Sequence, residues 1–322
     1  MRVFVAGGAG FIGSHTVARL LGDTSIDGVT VYDNLSSGKR EYLPENEPRL
    51  TFVEADLSSL DTLCGAMVGH DLVFHYASNP DIARAAREPD IDFWQGTYLT
   101  QNIVEAMRRT RVREIVYASG SGVYGDTGFK VLGEDHSPLL PISTYGASKL
   151  AGEMLICSYC HMFSLQAWVF RFANVVGPRQ THGVVFDFIH RLKAEPASLS
   201  ILGDGTQSKS YIHIEDVLDG IWLARKKADA QYNYFNLSTD DHITVSEIAG
   251  IVTRTMGLGD VRRAYSGGDR GWKGDVPVVR LDTAKIKKLG WRARYSTWDA
   301  IRASACSIYE HSLLESERAT GV

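Results

Sequence analysis

The heptapeptide Gly7-Gly8-Ala9-Gly10-Phe11-Ile12-Gly13 constrains this chain more than any other feature. Gly7, Gly10 and Gly13 recur at three-residue intervals between a β-branched run and an amphipathic stretch. Backbone without Cβ atoms lets a pyrophosphate come close. A helix opening at Phe11 and Ile12 aims its unpaired N–H groups and positive dipole end at that anion. Asp33 closes the second apolar run, twenty positions beyond Gly13. A carboxylate there accepts hydrogen bonds from adenine-ribose hydroxyls and repels a 2′-phosphate, which points to NAD rather than NADP. Asp56 and Leu57 after the third run, and Ala77 and Ser78 after the fourth, are expected along the same ligand-binding edge.

Apolar runs at residues 3–6, 29–32, 50–53, 72–76 and 115–119 alternate with helical patterns, clearest at 12–21, 93–109 and 144–160. Near-continuous β-branched strands separated by helices predict an α/β, Rossmann-like, doubly wound parallel sheet covered on both faces. Beyond residues 169–172 glycines, prolines and short strands break the rhythm. The expected division is an NAD-binding domain at 1–173 and a smaller substrate domain at 174–322, with residues 210–240 returning to the first sheet. The polar residues after Leu314 read as a frayed tail.

Composition removes several classes of function. Thirty-four basic against 38 acidic residues give a net charge of −4, without the basic face a duplex nucleic-acid binder needs. No apolar run approaches the roughly eighteen residues of a membrane helix. The opening around Arg2 imitates an export signal, but its glycines and the lack of a cleavage pattern favour a strand and turn. Four scattered cysteines cannot staple a chain of this size, so a reducing cytoplasmic setting is expected. Cys157 and Cys160 share one helix without a second pair, which reads as packing, and no metal site is expected.

Tyr145 and Lys149 lie four apart, on one face of the helix after the fifth strand. A free phenol with pKa about 10 is about a thousandth ionised at neutral pH, and lowering it to about 7 takes on the order of 4 kcal/mol. A nearby lysine cation, helped by the positive nicotinamide, can supply that at an effective dielectric of about 20. Tyr145 is therefore expected to be a general base, with Lys149 as its cation.

Taken in order, GGAGFIGS, YDNLSSGKREYL, VYASGSGVYG, YGASK, RFANVVGPR and YIHIEDV resemble the extended short-chain dehydrogenase/reductase family. Within it the chain most resembles NAD-dependent UDP-sugar 4-epimerases, from residue 3 to about residue 298. The resemblance implies tightly held NAD, proton transfer from the sugar C4 hydroxyl to Tyr145, and hydride transfer from C4 to the cofactor. The 4-keto sugar would then turn over and take the hydride back on its other face. It adds Asn34, Ser36, Gly38, Ser119 and Val175 to the cofactor contacts, and assigns Asn174, Val184, Leu202, Gln207, Lys209 and Arg270 to the UDP-sugar. Lys209 stands where an arginine usually meets the diphosphate, keeping the charge but losing the bidentate fork.

Two departures stand out. The family's Ser or Thr four residues before the tyrosine of VYG is Gly120 here; Ser119 and Ser121 flank it, and Ser121 is the favoured stand-in. A common Asn is replaced by Gly96, which alters contacts beside the nicotinamide or leaves room for a larger group. Family dehydratases carry an Asp-Glu pair at the 120–122 loop and decarboxylases a Glu, whereas Gly120-Ser121-Gly122 has no acid. The expected activity is C4 epimerisation of UDP-glucose/UDP-galactose or UDP-glucuronate/UDP-galacturonate. The alternatives are a decarboxylase or reductase on the same fold, or a non-enzymatic NAD-binding scaffold. A C5 carboxylate would draw on Arg84, Arg87, Arg179 or Arg191. Apolar stripes at 93–107 and 150–162 read either as a homodimer surface or as core.

Overall fold

Strands whose two faces are both apolar belong in the middle of a covered sheet. The computed structural model, which describes residues 1–320 and side chains to residue 315, builds that sheet. The first six strands are β1 (Arg2–Ala6), β2 (Gly28–Asp33), β3 (Leu50–Glu54), β4 (Leu72–His75), β5 (Glu114–Gly120) and β6 (Gln166–Phe172). The chain then leaves through β7 (Asn174–Val176), β8 (Ser198–Ile201), β9 (Ser208–Lys209) and β10 (Tyr211–His213), and returns as β11 (Tyr232–Leu237). Short strands β12 (Ile243–Thr244) and β13 (Arg262–Tyr265) follow. The seven-stranded sheet runs β11-β6-β5-β4-β1-β2-β3. Every neighbouring pair is parallel.

Helices α1 (Phe11–Leu21), α2 (Leu60–Met67), α3 (Leu99–Thr110), α4 (Thr144–Phe163), α5 (Val184–Ala194), α6 (Ile214–Lys227), α7 (Val245–Thr255), α8 (Ala284–Lys288) and α9 (Thr297–Thr320) complete the order. Strand alternation divides the first half's core in two. Val3 and Val5 of β1 join the cluster holding Val17, Leu20, Phe74 and Ile221, while Phe4 and Ala6 join Leu63, Met67, Ile103 and Ile156 on the other face. A third core gathers α5, α7 and α9 through Phe188, Ile189, Ile248, Val252, Ala300 and Ile301.

Helix starts follow their capping residues. The Ser143 hydroxyl accepts from Gly146 N at α4, and Thr244 with Glu247 forms a capping box at α7.

Two expectations change. Residues 93–109 are not one α-helix: Phe93–Tyr98 forms a π-helical turn before α3 begins. Residues 321–322 lie outside the described residues; residues 315–320 are not a frayed tail, because α9 continues to Thr320. Its Glu315 accepts from Lys39 at 3.0 Å, beside the loop that follows β2.

Candidate active site

Parallel register brings the carboxyl ends of β1, β2, β4 and β5 to one edge, where ligands bind in such sheets. The glycine loop lies there. A Cβ on Gly13 would overlap the Gly7 carbonyl, and one on Gly7 would fall 2.7 Å from Ala77 N, so strand, turn and helix close only on bare backbone. At Gly10 a Cβ would meet only the Gly7 oxygen, at 3.4 Å, so the loop is open on that side. Helix α1 begins at Phe11 and Ile12 with no side-chain cap and no acid in its first turn. That is the donor set a pyrophosphate requires.

Asp33 is buried, its two oxygens accepting from Ala9 N and Leu35 N at 2.9 Å each. Carboxylate oxygens carry further lone pairs for ribose hydroxyls. Asn34 donates to Asp56 at 2.7 Å and accepts from Ser36 N, and Gly38 packs against Ala9. Leu57 is buried, with its carbonyl held by Asn102. The expected NAD contacts in the first half therefore lie around one loop, and they fit the cofactor.

Tyr145 and Lys149 stand on the first turns of α4. Lys149 is buried, donates to Ala118 O at 2.8 Å and lies 5.5 Å from the Tyr145 ring centre. Burial pulls its ammonium down to about 8, against the pull of Asp92 and Glu153. Burial also pushes the Tyr145 phenol up to about 12, opposed by a hydrogen bond with the Ser78 side chain and reinforced by Asp92. The protein side of the site thus raises the phenol, contrary to the lowering expected from the lysine. Bringing a group from about 12 to working pH takes on the order of 7 kcal/mol. One unit charge at about 4 Å supplies about 4 kcal/mol at an effective dielectric of 20, so more than one partner is needed.

Asp92, which the sequence does not single out, ties the two sides of the site together. It is 1% exposed and accepts from Asn79 Nδ2 at 2.9 Å and from Thr144 Oγ1 at 2.7 Å. Ser119 does not face the site: its hydroxyl donates to Glu153 at 2.5 Å, within a buried pair that Glu153 makes with Arg171. A hydroxyl beside a buried carboxylate is drawn to it, which is why Ser119 turns away. Ser121 opens the turn Ser121–Tyr124, half-buried, with no hydrogen-bond partner for its hydroxyl among the described residues. Gly96 leaves no room for a larger group, since a Cβ there would overlap Ser148 Oγ.

The second half adds a polar cluster. Gln207 is 3% exposed, and neither its amide oxygen nor its amide nitrogen has a hydrogen-bond partner among the described residues. A buried, unpaired amide costs about 1–3 kcal/mol unless something answers it. Leu202 is half exposed beside it, and a Cβ on the intervening Gly203 would overlap the Gln207 amide. The two cations expected on the diphosphate are not free: Lys209 pairs with Asp275 at 2.6 Å, and Arg270 pairs with Asp126. Arg270 also donates to the Asp275 carbonyl. The same loop reaches α4, since a Cβ on Gly274 would lie 3.3 Å from Ser143 Cβ. Asn174 and Val175 lie on β7, paired to Tyr211 and Ile212, and Val184 opens α5.

A family model for the NAD dependent epimerase/dehydratase family matches residues 3–238. The chain belongs to that family. A UDP-glucose 4-epimerase from Mycolicibacterium smegmatis is 33% identical over 94% of this chain and 96% of its own length. The crystal structure of a UDP-galactose 4-epimerase is 37% identical, with a TM-score of 0.86 over 97% of this chain and 99% of its own. A dTDP-glucose 4,6-dehydratase from Streptomyces venezuelae, solved with NAD bound, is 28% identical, with a TM-score of 0.88 over 98% of both chains. The family is NAD-dependent and acts on sugar nucleotides by epimerisation or dehydration. No helix among the described residues is long and apolar enough to cross a membrane.

Proposed function

We propose that this chain is an NAD-dependent UDP-hexose 4-epimerase working through a 4-keto sugar. The observation that carries the reading is the pairing of the acids around Tyr145. Asp92 is bound by Asn79 and Thr144, and Glu153 by Ser119 and Arg171. The Gly120-Ser121-Gly122 loop offers no carboxylate. Elimination of water from the sugar needs a carboxyl group free to move a proton, whereas C4 inversion needs only one phenol and a hydride carrier.

NAD supplies the hydride acceptor and, when oxidised, a positive charge. Phe11, Ile12 and Gly13 would meet its pyrophosphate, Asp33 its adenine ribose and Asp56 its adenine. Tyr145 takes the proton of the sugar C4 hydroxyl and returns it after the keto sugar has turned. Lys149 holds the phenolate by charge, and Ser121 orients the reacting hydroxyl. Gln207 and Leu202 take the uracil end, with Asn174 and Val184 along the nucleotide. Lys209 and Arg270 exchange their carboxylate partners for the diphosphate. The cofactor rests on residues 1–173 and the sugar nucleotide on 174–322. The protein works in the cytoplasm as a homodimer through Phe93, Trp94, Met154 and Met162, all about half exposed or more.

The glucose/galactose pair is preferred over the uronates. Arg84 is engaged by Glu88 and Arg191 by Ser200 O, so two of the four arginines considered for a carboxylate have other partners, whereas Arg179 lies over Tyr42 with its buried Nη1 unpartnered among the described residues. The test is incubation with UDP-glucose and with UDP-glucuronate, followed by chromatography. C4 inversion supports the proposal; release of carbon dioxide or formation of a 4-keto-6-deoxy sugar overturns it. Tyr145→Phe should retain NAD and lose turnover.

A further inference from the structure

We propose that the groove between α7, β13 and the start of α9 is a second binding site, taking a nucleoside monophosphate with its phosphate on Arg254 and Arg263 and its base on Trp298. The groove shares no residue with the site around Tyr145, and the proposal does not rest on the 4-epimerase reading. Its volume is about 390 Å³, within the roughly 300–1,000 Å³ of small-molecule sites, and Ser246, Glu247 and Gly250 complete the lining. Arg254 stands in the last turn of α7, Arg263 is the second residue of β13 and Trp298 the second of α9, so a regular element carries each. Gly250 lets the two arginines converge. A Cβ there would lie 3.3 Å from Arg263 Nη2 and 3.4 Å from Arg254 Nη1, so both guanidiniums reach over the same bare stretch of helix.

Two like charges this close repel unless an anion lies between them. Among the described residues none does: Arg263 donates to Ser246 O at 3.1 Å, Arg254 has no hydrogen-bond partner for its guanidinium, and neither forms an ion pair. Glu247, the acid in the lining, is taken by the capping box, where one of its oxygens accepts from Thr244 N and Thr244 Oγ1 at 2.7 Å each. The N–H groups of the first turn of α7 are engaged as well, by Gln207 O, Gly205 O and Thr244 Oγ1, so the anion site is built from side chains rather than from the helix end. Two arginine forks match the oxygens of a doubly charged terminal phosphate. Trp298 supplies the other half: its indole is 45% exposed, and Arg302, 3.9 Å from Asp299, lies over the ring at 5.4 Å. An exposed indole beside cations stacks an aromatic base without reading its edge, so base identity should matter little.

The experiment is calorimetric titration of AMP, adenosine and inorganic phosphate into the NAD-loaded protein, excess cofactor removed. AMP should bind with saturation, and adenosine and phosphate about tenfold more weakly or worse, because each fills half of the groove. Arg254→Gln, Arg263→Gln and Trp298→Leu should each weaken AMP about tenfold or more, the loss of one charge-assisted hydrogen bond or one stacked ring. Lys226→Gln, at an exposed lysine on α6, should leave AMP binding as it is. No saturation by about 1 mM AMP overturns the proposal, and so does an AMP affinity that is the same in the wild type and the three groove variants. Phosphate binding as tightly as AMP overturns the nucleotide assignment. No sugar is present, so the titrations decide the groove even if chromatography rejects the 4-epimerase reading.

Discussion

Gly96→Ala tests whether the π-helical turn is a packing necessity. The new methyl would overlap Ser148 Oγ, which accepts from Thr97 Oγ1 at 3.1 Å and donates to Asp92 O at 2.7 Å. Replacing a helical glycine by alanine gains about 1 kcal/mol. Against this, overpacking costs about 1–3 kcal/mol and the two displaced hydrogen bonds about 1 kcal/mol each. The variant should lose about 2–4 kcal/mol net, read as a lower urea midpoint at fixed NAD. Ser148→Ala removes the obstructing oxygen, and the remaining Cβ–Cβ distance of 3.3 Å is tight but tolerable. Gly96→Ala added to Ser148→Ala should therefore be neutral, a coupling of about 2–4 kcal/mol in the double-mutant cycle. Additive losses would refute the reasoning.

Asp33→Ala should weaken NAD about tenfold or more and raise the NADP/NAD preference in calorimetric titration, because Ala9 N and Leu35 N lose their acceptor along with the ribose. The alkaline limb of kcat/KM should fall near pH 8, where Lys149 sheds its proton; Lys149→Arg should remove that limb. Over the same range stability should rise, since between about 8 and 10.5 the unfolded chain holds the lysine proton more often than the native one. Arg171→Leu leaves Glu153, 0% exposed, without its cation; denaturation should show a loss of about 3–5 kcal/mol.

The cofactor loop was legible because its logic is local: Gly7, Gly10, Gly13 and Asp33 act through backbone shape and one strand end. The Tyr145/Lys149 pair was legible for the same reason, one helix turn apart. What sequence reasoning missed is non-local. Asp92 gains its place only when β4, the π-helical turn and α4 meet. Ser119 and Ser121 look interchangeable until Glu153 claims the first. Lys209 reads as a free cation because Asp275, its partner, is 66 positions away. The burial that raises the Tyr145 phenol in the protein alone was not legible because it comes from tertiary packing, whereas the lysine is visible four residues on.

The order of strands also has a consequence during synthesis. The edge partner of β6 is β11, which the ribosome adds only after some sixty intervening residues. At about 5–20 residues per second the nascent sheet therefore shows an unzipped, aromatic-rich border for roughly 3 to 12 seconds. A β6 border bearing Trp168, Phe170 and Phe172 is adhesive while it waits. Yield in a recombinant host should thus depend on chaperone supply and translation speed through this window more than on the strength of the finished native state.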